Sequence, residues 1–161
     1  MNKKFILGIA AAAAIAVGSL SASAEGFAKT NTYTPGMFND VPASEWYASS
    51  VSSSYELGFM KGTADGVFSP EGNMTVAEAI TIAARVHDAY NAKGTTFSQN
   101  GANWYDDYVK YAVDNGIIKA DAFDDYDRPV KRYEMAVIFS KAVPDSYLEA
   151  KNNVTEIPDV P

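Results

Sequence analysis

The sequence predicts an all-α protein built on repeated helix-loop-helix units, and three observations carry that reading. Apolar residues recur at helical spacing after residue 75. A capping pair, Thr75 and Glu78, stands ahead of that stretch. Trp46-Tyr47, Val51 and Gly58 return 58 positions later, and Glu78 returns after 56.

The N-terminal stretch is set aside first. Met1-Asn2-Lys3-Lys4 leads into an apolar run from Phe5 to Val17, and Ala22-Ser23-Ala24 closes it. A positive stub, a short apolar core and small residues at a cleavage point read as a signal peptide over 1–24. The run is shorter than the roughly 20 residues that span a bilayer. Cleavage after Ala24 leaves a mature chain of 137 residues, a length suited to one domain.

With Lys3 and Lys4 gone, 11 basic residues face 20 acidic ones. Such a surface repels phosphate, so nucleic acid is not an expected partner. No later segment is long and apolar enough for membrane insertion. The absence of cysteine excludes disulfides, thiol chemistry and cysteine-ligated zinc. Ten Tyr, eight Phe and two Trp supply large side chains for a core instead.

Residues 25–37 show no periodicity and read as a mobile lead-in. The first unit spans 38–90. It opens on Phe38-Asn39-Asp40-Val41-Pro42 and continues into a helix from about Ser44 to Leu57, with Ser44 as N-cap. Trp46, Val51 and Tyr55 give that helix an imperfect apolar face, and Gly58 ends it. A loop rich in glycine and proline follows to Asn73, with Val67-Phe68 plugging into the core. Thr75 and Glu78 then form a capping box. Behind it Val76, Ala79, Ile80, Ala83, Val86 or His87, and Tyr90 make one buried stripe, and its alanines imply close helix approach.

A linker over 91–103 separates the second unit, 104–153. Trp104-Tyr105, Val109 and Gly116 stand 58 residues after Trp46-Tyr47, Val51 and Gly58. A helix from about Tyr105 to Asn115 is expected to bury Tyr108, Val109, Ala112 and Val113. Ile117, Ile118 and Phe123 follow in a loop. Another helix starts near Lys131, carries Glu134 in the place of Glu78, and presents Met135, Ile138, Phe139, Ala142 and Val143 before Pro144 stops it. A short helix around Tyr147 and Leu148 is expected next. The segment 154–161 ends Ile157-Pro158-Asp159-Val160-Pro161 and repeats the opening of the first unit, as the start of a truncated third.

These residues carry a family resemblance. In the first unit they are Phe38, Asp40, Val41, Trp46, Val51, Gly58, Gly62, Asp65-Gly66, Phe68, Pro70 and Thr75-Val76-Ala77-Glu78. In the second they are Trp104, Val109, Ala112, Gly116, Ile117, Phe123 and Lys131-Arg132-Tyr133-Glu134. The chain resembles the surface-layer homology (SLH) domain of bacterial cell-envelope proteins. The resemblance implies a three-fold helical prism, here incomplete, whose grooves hold anionic secondary cell-wall polysaccharide or a peptidoglycan-linked glycan without covalent linkage. It implies a secreted protein at the cell surface, cell wall or S-layer, no enzymatic activity, no catalytic residue, no cofactor and no metal.

The ligand-binding set carried over is Arg132, Lys131, Trp46, Trp104, Asp40, Gly62, Glu134 and Glu78. Arg132 holds the place of the family arginine that faces the anionic ligand. Val76 holds that place in the first unit and brings no charge. Each residue also has a plainer reading. Arg132 could form a surface pair with Glu134 or Asp127, and both tryptophans could simply be core. Asp40 could cap the turn near Ser44, and Gly62 could serve a turn. Glu78 is explained by its capping box. His87 lacks partners for catalysis. The acidic loop of Asp121, Asp124, Asp125 and Asp127 lacks the glycine and glutamate of an EF-hand. The alternative function is a structural or protein-interaction module of SLH type without sugar binding, in which self-association completes a third repeat.

Overall fold

The computed structural model describes residues 27–98 and 101–147. The expected signal peptide, the start of a third repeat with Asp159, and Leu148 lie outside the described residues. Among the described residues the secondary structure is helical: α1 Ala48–Glu56, α2 Val76–Tyr90, α3 Asp106–Asp114, α4 Arg132–Ser140, and a 3-10 turn Asp145–Tyr147. No strand forms among them. Two isolated backbone bridges occur, one linking Thr75 to Pro129.

α2 starts where its sequence says. Thr75 Oγ1 accepts the Glu78 N–H at 3.2 Å, and a Glu78 carboxylate oxygen accepts the Thr75 N–H at 2.7 Å. α4 repeats half of this box, since the Glu134 carboxylate accepts the Lys131 N–H at 2.8 Å. The other half is missing because a lysine ammonium has no lone pair to offer. α4 ends at Ser140, four residues before Pro144, where the proline ring would clash with the Ser140 carbonyl of a continuing helix.

α1 begins later than expected. Ser44 is not its cap. Tyr47 holds that place with a helical φ of −87° and no side-chain cap bond. α3 begins in the same way at Tyr105, at φ −95°. The correspondence extends along both helices at an offset of 58. Val51 and Val109 N–H donate to Tyr47 and Tyr105 carbonyls at 3.0 and 2.9 Å. Phe59 and Ile117 N–H reach back to Ser54 and Ala112 at 2.9 and 2.8 Å. Gly58 and Gly116 take φ of 74° and 70°, the left-handed conformation that ends a helix.

The core lies around α2. Its Val76, Ala79, Ile80, Ala83 and Ala84 pack with Tyr108, Tyr111 and Ala112 of α3, Ile117, Ile118, and Ile138 and Ala142 at α4. The alanines let the helices approach, as their spacing implied. A second cluster of Phe38, Val41, Val51 and Phe68 sits under α1. Phe38 meets Tyr55 and Phe68 edge-on, at centroid distances of 5.6 and 5.2 Å.

Two loop segments make defined contacts. The expected lead-in bonds to the end of α1. Thr30 and Asn31 N–H both donate to the Glu56 carbonyl, at 2.7 and 3.0 Å, and Asn31 Nδ2 donates to the Tyr55 carbonyl at 2.8 Å. The two bonds to Glu56 satisfy a carbonyl that the end of α1 leaves without a helical partner, and the Tyr55 carbonyl shares its bond with the Gly58 N–H at 3.0 Å. The linker after α2 is anchored too. The buried Asp88 carboxylate accepts the Thr95 N–H at 3.1 Å, and Phe97 stacks on Tyr108 at 4.5 Å.

Candidate functional site

A groove of about 710 Å³ runs between the loop after α1, the outer side of α2 and the approach to α3. Its walls include Lys61, Gly62, Ser69, Glu78, Thr81, Arg85 and Trp104. Three of the sequence-predicted residues, Gly62, Glu78 and Trp104, therefore meet in one place. They come from both units, so the groove exists only because α3 docks on α2.

Local chemistry shapes the loop wall. Gly62 takes φ 86°, and a Cβ there would collide with the Val67 carbonyl oxygen and sit 2.9 Å from Phe38 Cε1. Only glycine fits that approach. Asp40 does not cap the turn near Ser44. Its carboxylate accepts the Phe68 N–H at 2.9 Å and the Ser69 N–H at 2.6 Å. Those bonds, the Phe68 one foremost, hold its pKa below the ordinary carboxylate value. Ser69 is thereby kept at φ 61°, unusual for a non-glycine residue. Asp40 thus shapes the groove from behind while Phe68 and Ser69 line it.

The tryptophans differ. Each meets its following tyrosine edge-on at 5.5 Å, with interplanar angles of 80° for Trp46 and 82° for Trp104. Trp104 is 43% exposed and lines the groove. Trp46 is 87% exposed and lies outside the groove. Neither belongs to the buried core, so the core-packing reading is corrected for both. The tryptophan of the second unit thus lines a groove whose other walls come from the first.

The residues at the start of α4 lie apart from this groove. Arg132 is exposed and makes no ion pair or hydrogen bond among the described residues. Its expected pairing with Glu134 is corrected, because Glu134 is held by Arg128. The two form a fork with contacts of 2.7 and 2.9 Å. Arg128, first, and the Lys131 N–H lower the Glu134 pKa to about 2. Arg128 also lies over the Phe123 ring at 5.7 Å. Lys131 is exposed, with Nζ 5.9 Å from the centre of the Tyr133 ring.

Val76 shows why the charge is absent in the first unit. It is fully buried, and its N–H donates to the Arg128 carbonyl at 3.0 Å. The Ala77 N–H donates to the Tyr126 carbonyl at 2.9 Å, and Glu78 N–H goes to Thr75. The first turn of α2 is therefore sealed by the second unit and has no amide left for an anion.

Arg85 was not anticipated. It lines the groove, donates to the Phe59 carbonyl at 3.1 Å and the Tyr108 hydroxyl at 2.9 Å, and lies 5.0 Å from the Tyr108 ring centre. The available signal was a cation on α2 one turn beyond Thr81, on the face away from the alanine stripe. His87 is accounted for structurally. Nδ1 meets the Tyr111 hydroxyl at 2.9 Å, and burial lowers its pKa.

Comparison with known proteins adds to this geometry. Residues 38–80 match the family model of the S-layer homology domain. The chain is 27% identical over 133 residues to the surface-layer 125 kDa protein of Lysinibacillus sphaericus, covering 76% of this chain and 11% of that protein. It is 32% identical over 84 residues to the S-layer protein sap of Bacillus anthracis, covering 51% of this chain and 10% of that protein. The S-layer protein of Bacillus thuringiensis subsp. finitimus is 31% identical over the same length. The chain spans about a tenth of the length of these relatives.

Proposed function

Taking residues 38–80 as an S-layer homology domain, we propose that the protein attaches non-covalently to the bacterial cell wall by holding an acidic wall polysaccharide, or a related envelope glycan, in the groove between its two units. It acts at the cell surface as an anchor and not as a catalyst. The observation that carries this reading is the groove itself, which Trp104, Lys61 and Arg85 line together with Gly62 and Ser69. An indole face, fixed hydrogen-bonding groups and cations are what a sugar acid requires: stacking, hydroxyl partners and charge. The test is a pull-down of residues 25–161 with native cell wall, before and after acid removal of its secondary polymer. Retention that disappears after treatment supports the reading, and no retention by intact wall refutes it.

A specific observation favours a second role beside it. On α4, Tyr133 and Val137 are 64% and 59% exposed. At an offset of 56 they correspond to Ala77 and Thr81 of α2, which are buried. α4 thus presents the face that α2 has covered, and a further unit would cover it. That unit is one like the second and not like the first. Where α3 docks through Tyr108, Tyr111 and Ala112, α1 has Ser50, Ser53 and Ser54. Sedimentation at rising concentration checks whether a second copy of the chain fills this role.

A further inference from the structure

We infer that the acidic group of the bound sugar is held by Lys61 together with Arg85, and not from the first turn of α2. This rests on the proposed glycan groove and names the charges within it.

Three charged side chains line the groove: Lys61, Arg85 and Glu78. The Glu78 carboxylate is committed to Thr75, which it meets through both the backbone N–H and the hydroxyl. The wall therefore carries a net positive charge within a chain whose formal charge is −7. A local reversal of sign in a recess attracts an anion that the rest of the surface repels.

Lys61 and Arg85 also line a smaller recess of about 280 Å³ with Asn31, Gly58, Phe97 and Tyr108. The two cations thus line both the larger groove and this recess. They divide the work. The Phe59 carbonyl and the Tyr108 hydroxyl fix the Arg85 guanidinium, and it supplies a pre-oriented charge. Lys61 is exposed, makes no ion pair among the described residues, and can swing to the ligand on its flexible stem.

An independent feature points to an occupant. The Thr81 hydroxyl, in the wall of the larger groove, is buried without a hydrogen-bond partner, and the residue is 4% exposed. A helical threonine has two accessible χ1 wells, so rotation can turn the hydroxyl toward a sugar. Orphaned buried hydroxyls are costly, and a ligand that satisfies one removes the cost.

The test compares the full chain with Lys61→Gln and, as a control, Lys110→Gln, whose lysine pairs with Asp114 on the surface of α3. The probes are native cell wall and the same wall with its carboxylates amidated by carbodiimide. Lys61→Gln is expected to weaken retention on native wall about tenfold, the scale of one charged hydrogen bond. It should bind amidated wall as the parent does, and Lys110→Gln should match the parent on both. Unchanged binding of native wall by Lys61→Gln overturns the assignment, as does an equal loss on amidated wall. Failure of the unaltered chain to bind native wall refutes the glycan groove itself, and this assignment with it.

Discussion

Alanine placed at Gly116 and at Gly58 separates a helix-ending conformation from its surroundings. Both glycines adopt φ near +70°, where an L side chain costs about 1–2 kcal/mol. At Gly116 an added Cβ meets nothing within 4 Å, so that cost is the whole effect. At Gly58 the Cβ would lie 2.6 Å from Thr30 Oγ1. Thr30 belongs to the strap whose N–H groups bond to the Glu56 carbonyl, and moving it loosens bonds worth about 1 kcal/mol each. Gly58→Ala is therefore expected to cost about 2–4 kcal/mol. Urea unfolding followed by far-ultraviolet circular dichroism reads the difference. With a slope of about 1–3 kcal/mol per molar, Gly116→Ala lowers the midpoint by roughly 0.5–1 M and Gly58→Ala by about twice that. Trypsin should also cut faster after Lys29 in Gly58→Ala, because the Lys29–Glu56 pair loosens with the strap. Equal costs at both sites, or a larger cost at Gly116, would refute the docking of residues 29–31 on α1.

Other expected outcomes follow from single contacts. Thr81→Val removes an unpartnered hydroxyl at constant shape, so it should raise stability by about 1–3 kcal/mol in thermal unfolding while weakening wall retention. Ile80→Ala empties a fully buried site between the units and should cost about 2–5 kcal/mol in urea. The Glu134 pKa is depressed to about 2, so its contribution is complete above about pH 4.5 and fades as pH falls toward 2. Glu134→Gln should lower stability near neutrality, where the carboxylate's contribution is complete, and flatten the acid-unfolding profile in that window. His87 is favoured neutral in the fold, so stability should fall as pH drops below about 6.5, and His87→Gln should remove that slope.

Features set by neighbours in sequence were legible. The Thr75–Glu78 box lies within one turn, and the glycines at 58 and 116 act on the helix directly before them. The alanine stripe of α2 implied close packing without naming its partners. What depended on distant backbone was not legible. Residues 27–37 lack any period, because their role is to meet two carbonyls at the end of a helix some 25 residues later. Arg128 was not legible because its fork onto Glu134 needs the extended segment 129–131, paired with Met74 and Thr75, to bring a residue six positions away alongside. Trp46 and Trp104 are the same in sequence context, yet only the second lines the groove between α1's loop and α2. Position 76 shows the same limit. Its valine reads as a lost charge, whereas the structure shows a core residue whose N–H is taken by the carbonyl of 128.

The two indoles offer the most direct measurement. They are the only tryptophans in the chain, so each gives one indole N–H resonance in a two-dimensional nitrogen–proton spectrum. On titration with released acidic wall polysaccharide, the Trp104 resonance should shift and saturate while that of Trp46 stays in place. Movement of Trp46 with Trp104 unmoved would contradict the account.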